Sequence, residues 1–171
     1  MADLPPLVYL PLVLLLCAVT VIDIRTRRIP NLISLNGIAL GFICWTWLAG
    51  WHGVAHASLG MLVGFGLFFP FYLVRGMGAG DVKLMAAVGS FLGPSHVFYA
   101  SLVVAVVGGF IAALAALRQG RLGEALRGSF AVLTRSASVK TLENSVRSES
   151  IPYGLAISSG VVCYLFFVTY V

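Results

Sequence analysis

Charge is scarce in this sequence. Of its 171 residues only 10% are Asp, Glu, Lys or Arg, and just six are acidic. An average soluble domain carries about a quarter. With 60% hydrophobic residues and a mean hydropathy of +1.00, no water-facing fold of this length hides its apolar surface, and a membrane protein is expected. Cysteine is scarce too. Cys17, Cys44 and Cys163 stand singly inside apolar runs with no Cys-x-x-Cys pair. That argues against a structural zinc site and a disulfide framework, and leaves them as small packing residues. His-Glu-x-x-His, Gly-x-Ser-Gly and a Gly-rich phosphate loop ending in Lys-Ser/Thr are all missing. Ser158-Ser159-Gly160 is expected in the outward half of the last helix with no histidine on the inner side, so a Ser-His mechanism lacks its base. No metal, cofactor or nucleic-acid partner is expected.

Long polar stretches are also lacking, save 118–150, so there is no room for a separate soluble domain and residues 1–171 read as one membrane-embedded domain. The first residues lack the basic segment and the small-x-small site of a cleaved signal peptide, which makes Leu4–Ile22 a retained helix. What the chain does have is apolar runs of bilayer length: Leu4–Ile22, Leu32–Trp51, Val54–Val74, Pro94–Leu117 and Ile151–Val171. Val82–Gly93 is shorter. At about 1.5 Å per residue it reaches about 18 Å, less than a hydrocarbon core of about 30 Å, so it must sit inside the bundle or start below the membrane surface. The fold class is therefore all-α, polytopic, with six transmembrane helices of which the fourth is short.

Charge then orients the bundle. With the N-terminus outside, Arg25, Arg27, Arg28, Arg75, Lys83, Arg118, Arg121, Arg127, Arg135, Lys140 and Arg147 all fall on the cytoplasmic side, which is every Lys and Arg in the chain. Both termini are then outside. Trp45, Trp47 and Trp51 fall at the outer end of the second span, where indoles favour the headgroup boundary. His52, His56 and His96 fall on the same side and are expected as interfacial or loop residues. In the inner loop, Leu122, Ala125, Leu126, Ser129 and Leu133 keep a helical rhythm with Arg121, Glu124, Arg127 and Arg135 opposite. A basic amphipathic helix on the inner leaflet fits that pattern, its arginines meeting anionic membrane lipids.

Against this background two carboxylates stand out. Asp81 opens the short apolar run behind Gly78-Ala79-Gly80, and Asp23 closes the first run. A carboxylate at the mouth of a membrane helix is costly to place and is a functional hypothesis by default. Both aspartates fall at the cytoplasmic ends of their helices at similar depth. Two carboxyl groups held close share one proton, so that the ionised one can activate water while the protonated one donates to a scissile carbonyl. Gly78 and Gly80 would let the backbone take unusual dihedrals and leave room for an extended peptide. Lys83, beside Asp81, would tune charge or bind a substrate carboxyl. The structural alternative makes Asp23 a helix-end charge paired with Arg25 or Arg27, and Asp81 an N-cap.

Three stretches carry a resemblance: Asp23-Ile-Arg-Thr-Arg-Arg-Ile-Pro-Asn31, Gly76-Met-Gly-Ala-Gly-Asp-Val-Lys-Leu84 and Ile151-Pro-Tyr-Gly154. In this order and spacing they resemble the type IV prepilin peptidases, Gly-x-Gly-Asp membrane aspartyl proteases. The resemblance implies that Asp23 and Asp81 are catalytic. It implies roles in substrate binding or loop shaping for Pro30, Asn31, Gly78, Gly80, Lys83, Pro152, Tyr153 and Gly154. It further implies cleavage of a prepilin or pseudopilin leader at the cytoplasmic face of the bacterial inner membrane. Larger members carry a cysteine-paired cytoplasmic insert and also methylate the product. Here the segment after Asp23 runs straight into the second helix, similar to the short, peptidase-only branch of Flp-type, tight-adherence systems. Two rivals use the same residues differently. A small proton- or ion-coupled transporter subunit would use Asp23 and Asp81 as a relay, although a relay places its acids near mid-membrane. A structural subunit of a secretion assembly would use neither.

Overall fold

The computed structural model describes residues 5–26, 30–73, 77–118 and 153–170. Over these the chain is helical: α1 Pro6–Thr26, α2 Asn31–Leu73, α3 Ala79–Arg118 and α4 Tyr153–Tyr170. Pro6–Thr26, Asn31–Leu73 and Ala79–Ile111 are long and apolar enough to cross a membrane, and Gly154–Val168 is a shorter apolar segment. Large apolar side chains also cover the outside, with Leu10, Leu14, Leu32, Val106, Phe110 and Phe166 all exposed, as lipid-facing positions are.

α2 and α3 are each broken once, at Gly50 (φ 55°) and Gly93 (φ 74°). Both values lie in the left-handed region, which costs a residue with a Cβ and suits glycine. The Gly93 break falls where the sequence suggests, just before Pro94. The other expected boundary, between Trp51 and Val54, moves to Gly50. There the chain folds back so sharply that a Cβ on Gly53 would strike the Trp45 carbonyl. An unbroken α2 of 43 residues would run about 64 Å, twice a hydrocarbon core, so the fold-back is what makes its length usable.

The first arm of α3 (residues 79–92) is the centre of the molecule. From Asp81 to Gly93 every residue except Lys83 is buried. The sequence reading of a short helix inside the bundle holds, and the arm begins at Ala79, earlier than expected. Glycines let its neighbours close in. A Cβ on Gly37 would meet Leu15 of α1 and Ala87 of α3, and one on Gly41 would meet Ser90. Gly60 and Gly89 approach backbone to backbone, each meeting the other's carbonyl. Lipid supplies no hydrophobic force between helices, so close approach through small residues does that work. The amphipathic helix expected within 118–150 lies outside the described residues.

Candidate active site

On α1 the buried positions are Val8, Leu12, Leu15, Leu16, Val19 and Asp23, a stripe repeating every three or four residues. Asp23 is its last member. Its carboxylate is buried (4% exposed) because its position belongs to the packed face. α1 continues to Thr26, so Asp23 lies within the last turn rather than past the helix end. Arg25 projects to the exposed side while Asp23 turns inward. Its Oδ2 accepts a hydrogen bond from the backbone N–H of Leu155 (3.2 Å), in the first turn of α4.

Asp81 is also buried (8% exposed) and occupies the third helical position of α3. The expected N-cap is instead Gly78, whose carbonyl accepts from the amides of Asp81 (3.2 Å) and Val82 (3.4 Å). The Asp81 Oδ2 reaches back to accept from the Gly78 N–H at 3.2 Å. This is the carboxylate half of a capping box, with glycine in place of the usual Ser or Thr. Gly78 and Gly80 do not adopt positive φ; among the described residues only Gly50 and Gly93 do. Unusual dihedrals are therefore not what these glycines provide. Gly78 allows close approach, since a Cβ there would lie 3.1 Å from the Asp81 Oδ2.

Asp23 and Asp81 come close enough to interact electrostatically. Tertiary structure thus brings together the two carboxylates singled out by their positions in the sequence. It also joins the first two motifs elsewhere, as Lys83 Nζ donates to Asn31 Oδ1 at 2.9 Å. Lys83 is exposed and its ammonium is engaged with Asn31 of α2. Pro30 is exposed, and its carbonyl accepts from Ile33 N to start α2. Gly154 is buried beside Leu155 in the first turn of α4, whose first residue is Tyr153; Pro152 lies outside the described residues.

Residues 10–113 match the type IV leader peptidase family, a stretch that contains both aspartates. The chain belongs to that family. It is also 33% identical over 121 residues to the prepilin leader peptidase/N-methyltransferase of Pseudomonas putida, which is 64% of this chain and 42% of that protein. The chain therefore spans less than half the length of this relative. No solved structure matches it.

Three features of this family member escaped sequence reading. The Leu155 donor is a backbone group, so its side chain carries no signal; only the Pro-Tyr-Gly before it marks a helix start with free amides. At the far end of the short arm, Trp45 Nε1 donates to the Phe91 carbonyl (2.7 Å). Trp45 and His56 also lie ring to ring at 4.3 Å, while Trp47 and Trp51 stay exposed. His96 Nδ1 lies 2.7 Å from the Tyr164 hydroxyl. Trp45, His56 and His96 lie on helices rather than in loops, half-buried with their rings packed on neighbouring groups. Finally, Ser158 and Ser159 fall in the half of α4 nearer Asp23, not the outward half. Their hydroxyls donate to the backbone carbonyls of Leu16 and Ala156.

Proposed function

We propose that this protein is a membrane aspartyl endopeptidase that removes the short leader of prepilin or pseudopilin precursors at the cytoplasmic face of a bacterial inner membrane. One observation carries the reading. Asp23 and Asp81, on different helices of a chain with few acids, are both buried and within electrostatic reach of one another. Buried carboxylates are costly, and a pair sharing one proton has an acid and a base in the same place. Family membership adds the reaction class.

In this mechanism the ionised aspartate takes a proton from water as the water oxygen bonds to the scissile carbonyl carbon. The protonated aspartate donates to the carbonyl oxygen. Collapse of the tetrahedral species breaks the C–N bond, and the leaving amine takes up a proton. The breaks at Gly50 and Gly93 divide α2 and α3 into two arms each, which supports six crossings with the fourth short. The concentration of Lys and Arg on one side supports a cytoplasmic site with both ends of the chain outside. Pro30, Asn31, Gly78, Gly80, Lys83, Pro152, Tyr153 and Gly154 would shape the substrate path around the pair. Cleavage without methylation is expected, as in the short Flp-type branch.

The test is to incubate the purified protein in lipid with a prepilin-like precursor and follow the precursor by mass spectrometry. Loss of the leader mass is expected. A folded protein that leaves the precursor intact while carrying a proton or cation current would favour the transporter reading.

A further inference from the structure

The two aspartates are held in different ways. The donor to Asp81 is local, three residues away in its own helix cap. Among the described residues Asp23 has no such local donor. It sits in the last turn of α1, where a helix's partial negative charge disfavours a carboxylate. Its donor comes from a distant part of the chain, the Leu155 N–H in the first turn of α4, where amides are free and the dipole favours an anion.

We infer that the backbone amide of Leu155 is a positioning group for the proposed reaction, fixing the Asp23 carboxylate through Oδ2 and leaving Oδ1 for water and Asp81. This rests on reading Asp23 and Asp81 as the catalytic pair. The start of α4 is built to deliver that amide rigidly. Ser158 Oγ donates to the Leu16 carbonyl (3.5 Å), a second buried tie to α1. Gly160 packs against Val104 so closely that a Cβ would lie 2.7 Å from the Val104 Cα, which anchors α4 on α3. Gly154, Ala156 and Ile157, around Leu155, are all buried. A carboxylate clamped at one oxygen keeps one orientation, and misplacement by about 1 Å can cost on the order of 100-fold in rate.

Among the described residues Asp81 on α3 interacts electrostatically with Asp23, Arg25 on α1 is exposed, and Lys83 on α3 is tied to Asn31 of α2. On α4, Tyr164 lies near the opposite end, with His96.

The experiment compares three forms of the full protein in lipid. Leu155→Ala keeps the amide. Leu155→Pro deletes it at a first-turn position that tolerates proline. Replacing Leu155 by its α-hydroxy analogue deletes the N–H as a backbone ester without adding a ring. The alanine form should cleave within about twofold of the native protein. Both amide-less forms should lose about 10- to 100-fold in kcat with KM little changed, the scale of one hydrogen bond to a charged group. The infrared carboxyl band of Asp23, assigned by its absence in Asp23→Asn, should shift in frequency in both amide-less forms. An ester form with native kcat and an unshifted Asp23 band would overturn the inference alone, as would an alanine form as impaired as the ester. Cleavage by folded Asp23→Asn protein would overturn the peptidase reading and this one with it.

Discussion

The two ends of the short arm of α3 solve the same problem with opposite chemistry. A helix that ends inside a bundle leaves amides unpaired at its start and carbonyls unpaired at its finish, and lipid cannot satisfy either. At the finish, the Trp45 indole brings an N–H donor to the Phe91 carbonyl, with the His56 ring packed against it. At the start, Gly78 and the Asp81 carboxylate take up the first amides, with a second buried carboxylate, Asp23, close by. Donors such as an indole N–H are spent once they bond a carbonyl. A carboxylate that accepts one bond through Oδ2 still has a second oxygen and can still exchange a proton. The finish is therefore suited to holding the fold, and the start to holding it and carrying chemistry as well.

The comparison breaks most visibly at the aspartates. Asp23→Asn and Asp81→Asn should each lower cleavage of a prepilin-like precursor by about 1,000-fold or more, and the double variant should be no worse, as in residues acting as a unit. Folding should survive, because an amide oxygen still accepts the Leu155 or Gly78 N–H. Circular dichroism and gel filtration in detergent check the fold, and substantial cleavage by folded Asp81→Asn protein would make the start as purely structural as the finish.

Next in size is the middle of the arm. Gly89→Leu puts a side chain where the Gly60 carbonyl and the Met61 amide nitrogen already stand, and should destabilise by about 3 kcal/mol or more through overpacking. Loss of the folded, detergent-soluble form during heating reads this directly. A neutral result would mean that the arm is not tightly held between its neighbours.

At the finish, Trp45→Phe removes one donor and should cost about 1 kcal/mol of stability while leaving kcat within about twofold. A large fall in kcat below the melting transition would show that the far end takes part in the chemistry. The smallest effect is expected at the rim. Lys83→Met breaks an exposed hydrogen bond to Asn31 and should change stability by under about 1 kcal/mol, with a modest change in KM for the precursor. A loss approaching that of Asp81→Asn would move Lys83 into the catalytic machinery.

Much of this arrangement was legible before any coordinates. Two aspartates stand out in so apolar a chain because charge in a membrane segment is rarely accidental. The short fourth run declares itself by its length, and the Gly93-Pro94 break by its composition. The Gly50 break was misplaced by a few residues because Trp51-His52-Gly53 looks as much like a turn as Gly50 does. The packing of His56 and His96 on Trp45 and Tyr164 was not legible, because side of membrane says nothing about which way a ring points.

The sequence by itself determined that this chain is a helical membrane protein of the type IV leader peptidase family with Asp23 and Asp81 at helix ends. Hydropathy, charge asymmetry and local motifs act over a few residues, and they survive in one dimension. Tertiary structure alone decided that Asp23 meets the amide of Leu155 and lies near Asp81, and that Trp45 caps the far end of the short arm. These pairings depend on which faces of packed helices meet and at what depth. Two of the groups involved, a backbone N–H and a backbone carbonyl, are present at nearly every residue, so no residue type marks them.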